Sequence, residues 1–202
     1  MKLKYNLAIL LLFTFVGFSF TATLKDVPTE RTKSITKTFP ISANGTTKLA
    51  NKYGKMDINI WDKNEVQITV NVKVDARNDR KEQEILDGID VEFENGNDYV
   101  SAETEFDLRG NYNNVSYNIE YEVYMPATND LRASMKYGNL RLGKLEGKAD
   151  IEVKYGNFYL ESVGDNSEIE VAYSGSDCTI VEAQNLTCEV SYSRLNIYQA
   201  KN

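Results

Sequence analysis

The sequence predicts an all-β fold: a short β-solenoid of about 18-residue coils with one small helix inserted near residues 79–87. Three observations lead there. The 202 residues are 42% hydrophobic and 26% charged, a globular balance. Thirteen Tyr stand against three Pro, which favours strands. A Tyr-Gly or Tyr-Ser turn also recurs through the C-terminal third, with Tyr137, Tyr155, Tyr173 and Tyr192 separated by 18, 18 and 19 residues.

The first segment reads as export machinery. Lys2 and Lys4 precede an apolar run, Leu7–Phe20, and the small residues Ser19, Thr21 and Ala22 close it. The run is short for a bilayer span and fits a signal peptide over 1–22. Residues 23–33 are charged and polar, so a flexible lead is expected there, followed by a single domain over 34–202 with regular repeats at 131–200. No Cys lies near the cleavage region, so no stable lipid anchor is expected.

Strand signals follow. Ile35, Phe39 and Ile41 bracket a first strand, and Asn44-Gly45 marks a turn. Met56, Ile58 and Ile60 alternate with polar residues. Val66, Ile68, Val70, Val72 and Val74 share one face of the cleanest strand. The helix at 79–87 is marked by Asp79 and Glu82, spaced as a capping box, and by Gly88 as a stop. Ile89, Val91 and Phe93 alternate, Asn95-Gly96-Asn97-Asp98 turns, and residues 99–106 continue the pattern. Residues 109–114 read as a loop, and 115–125 as a long strand ended by Pro126.

Across the repeats, apolar residues stand two and four before each Tyr: Ala133 and Met135, Ile151 and Val153, Ile169 and Val171, Cys188 and Val190. Apolar residues also follow it by three and five: Leu140 and Leu142, Phe158 and Leu160, Leu195 and Ile197. The third copy has Ser176 and Cys178 there, as though its turn were one residue longer. Strict alternation puts all these positions on one inward face, with each Tyr at its corner. The corner motif comprises Tyr53-Gly54, Tyr137-Gly138, Tyr155-Gly156, Tyr173 and Tyr192, with Gly expected to take the difficult backbone angles. The Tyr rings read as a corner-filling stack, with a sugar-binding platform as the sharper alternative. Glu152, Glu170 and Glu189 form an outward row that either pairs with Lys136, Lys148 and Lys154 or binds a cation; calcium's preference for loop-borne oxygens favours the pairing.

Cys178 and Cys188 fall on opposite walls of one coil and are either a disulfide or two thiols. Their spacing and the lack of His argue against zinc. The same lack removes Ser-His and Cys-His catalysis. No phosphate loop or dinucleotide fingerprint is present. Asp87 with Asp90, and Glu92 with Glu94, have the chemistry for acid–base work on a glycan, but they alternate outward as a solvated face would. No catalytic residue, cofactor or metal is therefore expected. The net charge of -7 suits neither nucleic acid nor anionic lipid. Candidate binding residues are Trp61, Arg109, Tyr112 and Tyr159. The open final coil, around Leu195–Tyr198, invites strand addition or homo-oligomerisation.

The run Lys52-Tyr53-Gly54-Lys55-Met56, then Trp61 and Asn64-Glu65-Val66, together with the later Lys-Tyr-Gly-Asn corners, resembles the "putative adhesin" domain-of-unknown-function family common in Bacteroidetes envelope proteins. The resemblance covers most of 34–200. It implies a right-handed solenoid or β-helix and an exported location, and supplies no catalytic residues. Many relatives are lipoproteins, whereas this chain lacks their N-terminal Cys. The expected function is a non-enzymatic scaffold or adhesin-like binding protein, periplasmic, surface-exposed or secreted, that meets a protein or glycan of the envelope. A regulatory partner in envelope signalling is the alternative, and a polysaccharide-active β-helix enzyme a more remote one.

Overall fold

Period-two alternation dominates the chain, and strands follow it. The computed structural model describes residues 31–76, 78–108 and 115–201. The expected signal peptide and two of the binding residues, Arg109 and Tyr112, lie outside these. The elements run β1 (Arg31–Pro40), β2 (Thr46–Trp61), β3 (Glu65–Asp75), α1 (Asp79–Asp87), β4 (Ile89–Asn95), β5 (Tyr99–Phe106), β6 (Ser116–Pro126) and β7 (Asp130–Lys144). They continue as β8 (Ala149–Lys154), β9 (Phe158–Val163), β10 (Glu168–Ala172), β11 (Asp177–Gln184), β12 (Thr187–Ser191) and β13 (Arg194–Lys201). Among the described residues the fold is all-β with one helix, and thirteen strands belong to one hydrogen-bonded sheet.

β2 and β7 organise that sheet because each turns midway, at Tyr53 and Tyr137, and pairs differently on either side. Before the turn, β7 pairs in parallel with β2 and β8, and β10 and β12 follow. After it, β7 pairs in parallel with β2 and β9, then come β11 and β13. Two ladders result, and their apolar faces share one core containing Leu49, Met56, Met135, Leu140, Val153, Leu160, Val171 and Ile180. The Val66–Val74 alternation is fully buried on β3.

The N-terminal half departs from the single solenoid expected over 34–202, because its sheet is mixed rather than parallel. β3 pairs antiparallel with β1 and β6, and β4 antiparallel with β5. The expected lead is also shorter, since Arg31–Lys33 already lie in β1 opposite Val74–Val72. Arg31 has a reason to be ordered: it donates to Gln83 at 2.9 Å and approaches Asp79 and buried Glu82 at 3.2 and 3.6 Å.

The helix stands where expected, but its cap does not. Asn78 is the N-cap, its side chain accepting from the Lys81 amide at 3.0 Å. Glu82 turns inward to Arg31 and to the Ala76 amide instead of closing a capping box. Gly88 ends the helix in an ordinary right-handed conformation. It lacks a side chain because a Cβ would meet Leu108 Cδ2 at 2.7 Å and the Asp107 carbonyl at 2.9 Å.

The third corner is two residues longer than its neighbours, not one. Tyr155 and Tyr173 are in step, yet Thr179 pairs with Tyr159, and Leu195 returns to Cys178. The surplus is held in the Ser174-Gly175-Ser176 turn.

Candidate functional site

The corner tyrosines point outward, not inward. Tyr53, Tyr137, Tyr155, Tyr173 and Tyr192 all have left-handed backbones, with φ of 63°, 56°, 57°, 56° and 48°. A left-handed residue breaks the alternation of a strand. The residue two before it therefore stays in the core, as Met135 and Val153 do, while the ring swings to solvent. Tyr137, Tyr155 and Tyr173 are each 49% exposed and Tyr192 81%.

The rings form one continuous stack. Successive centroids lie 5.1, 4.9, 5.0 and 5.1 Å apart, with planes within 9° of parallel. The parallel ladder sets this spacing, because equivalent residues on adjacent strands repeat at about 4.8 Å. A left-handed non-glycine residue costs roughly 1–2 kcal/mol. Each aromatic contact returns about 0.5–1.5 kcal/mol, and an interior ring makes two. Stacking thus offsets a backbone that an isolated Tyr would avoid.

The glycines have a different task from the one expected of them. Of the three corner glycines only Gly54 has a positive φ, and Gly138 and Gly156 are needed for close approach. A Cβ on Gly138 would lie 2.1 Å from the Gly54 carbonyl oxygen, and one on Gly156 1.7 Å from that of Gly138. Gly175, in the longer turn, meets nothing within 4 Å.

Polar rows flank the stack. Lys52, Lys136 and Lys154 run in register on one side. On the other, Asn139 Oδ1 accepts from the Asn157 amide at 3.1 Å, and Asn157 Oδ1 from the Ser176 amide at 3.1 Å. Tyr117 and Phe106 meet Tyr53 edge-on, 5.0 and 6.0 Å away, and close that end. The Tyr192 end is open.

Two members of the glutamate row, Glu152 and Glu170, are held by one lysine. Lys154 bridges Glu152 and Glu170, the latter at 3.0 Å, and Ser134 donates to Glu152 at 3.0 Å. The Lys154 hydrogen bond holds the Glu152 carboxyl below its usual range against the opposing effect of burial, and Ser134 assists. Lys148 pairs with Glu168 at 2.7 Å rather than with the row.

The other expected site residues do not converge. The partly buried Trp61 donates from Nε1 to the Glu65 carbonyl at 2.8 Å, and Lys63 sits 4.6 Å from its ring. Tyr159 is exposed beside Arg141, two strands over and level with Asp57 rather than Trp61. Cys178 and Cys188 are both free thiols, on the second and first ladders, with core between them. Cys178 Sγ is 3.3 Å from Ser174 Oγ, and burial pushes the Cys188 thiol up.

One polar cluster escapes the sequence reading. Buried Asn51 donates to the Ile119 carbonyl at 2.8 Å and accepts from the Thr104 hydroxyl at 3.0 Å; Thr104 is in turn 2.9 Å from the Tyr121 hydroxyl. With Thr104's proton committed to Asn51, Tyr121 donates to Thr104. The signal was visible: Asn51 stands two before a corner Tyr, where later copies carry Met135, Val153 and Val171.

No family model matches the chain, and no curated protein does. The fold is similar to that of a "putative cell adhesion protein" from Clostridium sporogenes, with a TM-score of 0.50 and 13% identity, over 85% of this chain and 100% of that one. Weaker likenesses are to a "putative adhesin" from Parabacteroides merdae (TM-score 0.32, 11% identity, 83% and 76% covered) and a "putative lipid binding protein" from Parabacteroides distasonis (0.27, 11%, 84% and 97%). The expected resemblance to adhesin-like proteins is met at the level of fold.

Proposed function

We propose that this is a non-enzymatic, exported binding protein or scaffold of the cell envelope, built on a short right-handed β-solenoid, with the tyrosine ladder as its contact surface. The carrying observation is the ladder itself: five strained, stacked aromatic residues of which four are large exposed hydrophobics. Contiguous exposed apolar surface marks interaction sites more often than chance. In-register parallel pairing through residues 131–200 supports the solenoid reading. The apolar start of the chain and the name of the Clostridium protein support export and a surface location. Among the described residues no helix is long and apolar enough to cross a membrane.

The stack also constrains the ligand. Ring faces are consumed by their neighbours, except at Tyr192, so a partner meets ring edges, hydroxyls and the flanking Lys and Asn rows. That suits a glycan's hydroxyls or a protein's polar face better than sugar stacking on an open ring. The test compares wild type with Tyr155→Asn, Asn being tolerant of the left-handed region, on a glycan array and in pull-downs of envelope proteins. A ligand retained by wild type and weakened about tenfold or more, roughly 1.4 kcal/mol, is expected. Equal retention by the variant counts against the ladder as the site.

A further inference from the structure

The outer face of the first ladder sorts its charges by strand. Lys48 and Lys52 on β2 stand in register with Arg132 and Lys136 on β7. Neighbouring strands repeat at about 4.8 Å, so each pair sets two cations side by side, a contact that destabilises a sheet. None of the four forms an ion pair among the described residues, although Lys154 on the next strand holds two carboxylates. Lys136 acts on Glu152 through space without bonding it. The flanking strands are acidic. Glu103 and Glu105 on β5 pair with Glu92 and Asp90 on β4, and Asp150 and Glu152 on β8 with Glu168 and Glu170 on β10. In a chain of net charge -7, the sheet thus gathers four cations into one stripe with an acidic border on either side. Ala50 and Ser134, between the cations of each strand, are small and leave a depression lined by Lys48 and Arg132. Lys52 and Lys136 lead directly into Tyr53 and Tyr137, the first two rungs of the tyrosine stack.

We infer that this stripe binds a linear acidic glycan, with carboxylate or sulfate groups seated between Lys48 and Arg132 and between Lys52 and Lys136. The inference rests on reading the chain as a binding protein, and it names the ligand class for the β2–β7 end of the ladder. An anion between the cations of each pair replaces their repulsion with charge-assisted hydrogen bonds. The two pairs are four residues apart, about 13 Å along the strands, and a chain of repeated acidic sugars supplies both. The surroundings disfavour other polyanions. A broad anionic surface, such as a membrane, brings like charge against both acidic borders. Single-stranded nucleic acid needs open ring faces for its bases, and those of Tyr53 and Tyr137 are taken by neighbouring rings. An extended acidic peptide gains affinity from free backbone groups at a sheet edge, whereas β2 and β7 have strands on both sides.

The test titrates polygalacturonate, dextran sulfate and neutral dextran into the purified chain by calorimetry. Binding is expected for an acidic polymer, weakening as salt rises, and not for dextran. Polygalacturonate alone assigns the ligand to carboxylates, and dextran sulfate alone to sulfates. The pair Lys48→Gln and Arg132→Gln, and separately the pair Lys52→Gln and Lys136→Gln, are each expected to weaken binding about tenfold or more. Both double variants are expected to keep strand circular dichroism and a urea midpoint no lower than wild type, because a like-charge contact is relieved. Lys144→Gln, which removes a cation of the other ladder, is expected to bind as wild type does. No binding of either acidic polymer, equal binding by a folded double variant, equal weakening by Lys144→Gln, or tighter binding of polyglutamate or a single-stranded oligonucleotide overturns the inference. Tyr155→Asn separates it from the ladder proposal. A ligand that depends on Tyr155 and not on the four cations overturns the stripe and keeps the ladder. Acidic-glycan binding that depends on the cations and not on Tyr155 does the reverse.

Discussion

Gly156 and Tyr155 are neighbours with opposite reasons to be there. The Gly is required by a carbonyl oxygen 1.7 Å from where its Cβ would sit; the Tyr holds the left-handed angle and recovers its cost through two ring contacts. Gly156→Ala is therefore expected to lower stability by about 3 kcal/mol, near the upper end of ordinary substitutions. Gly175→Ala, with open space around it, is expected to be close to neutral. Urea denaturation checks both: the midpoint falls with unchanged slope for the first and barely moves for the second. The Asn51–Thr104–Tyr121 cluster gives a second residue-scale expectation. Tyr121→Phe removes one buried donor while Thr104 keeps its bond to Asn51, so a loss of about 1 kcal/mol is expected by the same measurement.

At the scale of elements, α1 and the glutamate row are the clearest tests. The helix has one side-chain cap, Asn78, and Asn78→Ala is expected to cost about 1 kcal/mol in thermal or urea unfolding. The outer face of β8 and β10 carries a pH dependence with a definite sign. Glu152 has its folded pKa depressed by Lys154, from an ordinary value of 4.5. Its contribution is present above that value and is lost as pH falls through the lower folded one. The melting temperature is expected to drop as pH falls below the ordinary carboxylate value of 4.5, and Glu152→Gln is expected to flatten part of that drop. An unchanged profile in the variant would assign the acid sensitivity elsewhere. Glu168, depressed by Lys148, adds to the same limb with the same sign.

For the whole molecule, the number of strand neighbours sets local stability. Among the described residues β12 and β13 have one neighbour each, and their amides are expected to exchange before those of β7 and β8, which are paired on both sides. Hydrogen exchange of the wild type reads this directly, and slower exchange in β12 and β13 than in β7 and β8 would count against it. The strands, the helix limits and the repeat were legible in the sequence because each rests on local periodicity or local caps. The site was legible only as a list of tyrosines. Their direction was misread because a single left-handed residue reverses the alternation, and no spacing rule announces one when the residue is Tyr. Trp61 and Tyr159 share the residue type that marks binding surfaces, and the strand register sets them apart.

The sequence by itself determined the all-β class, the single helix and a repeat with fixed apolar neighbours. These follow from the side-chain period and from which residues tolerate turns. Tertiary structure alone decided which way the corner rings face, that the third corner is two residues longer than its neighbours, and that the first half pairs antiparallel. Each depends on which strand lies beside which. Contacts between neighbouring strands, including a carbonyl where a Cβ would go and a ring 5 Å from a ring, set the backbone angles that local preference would not choose.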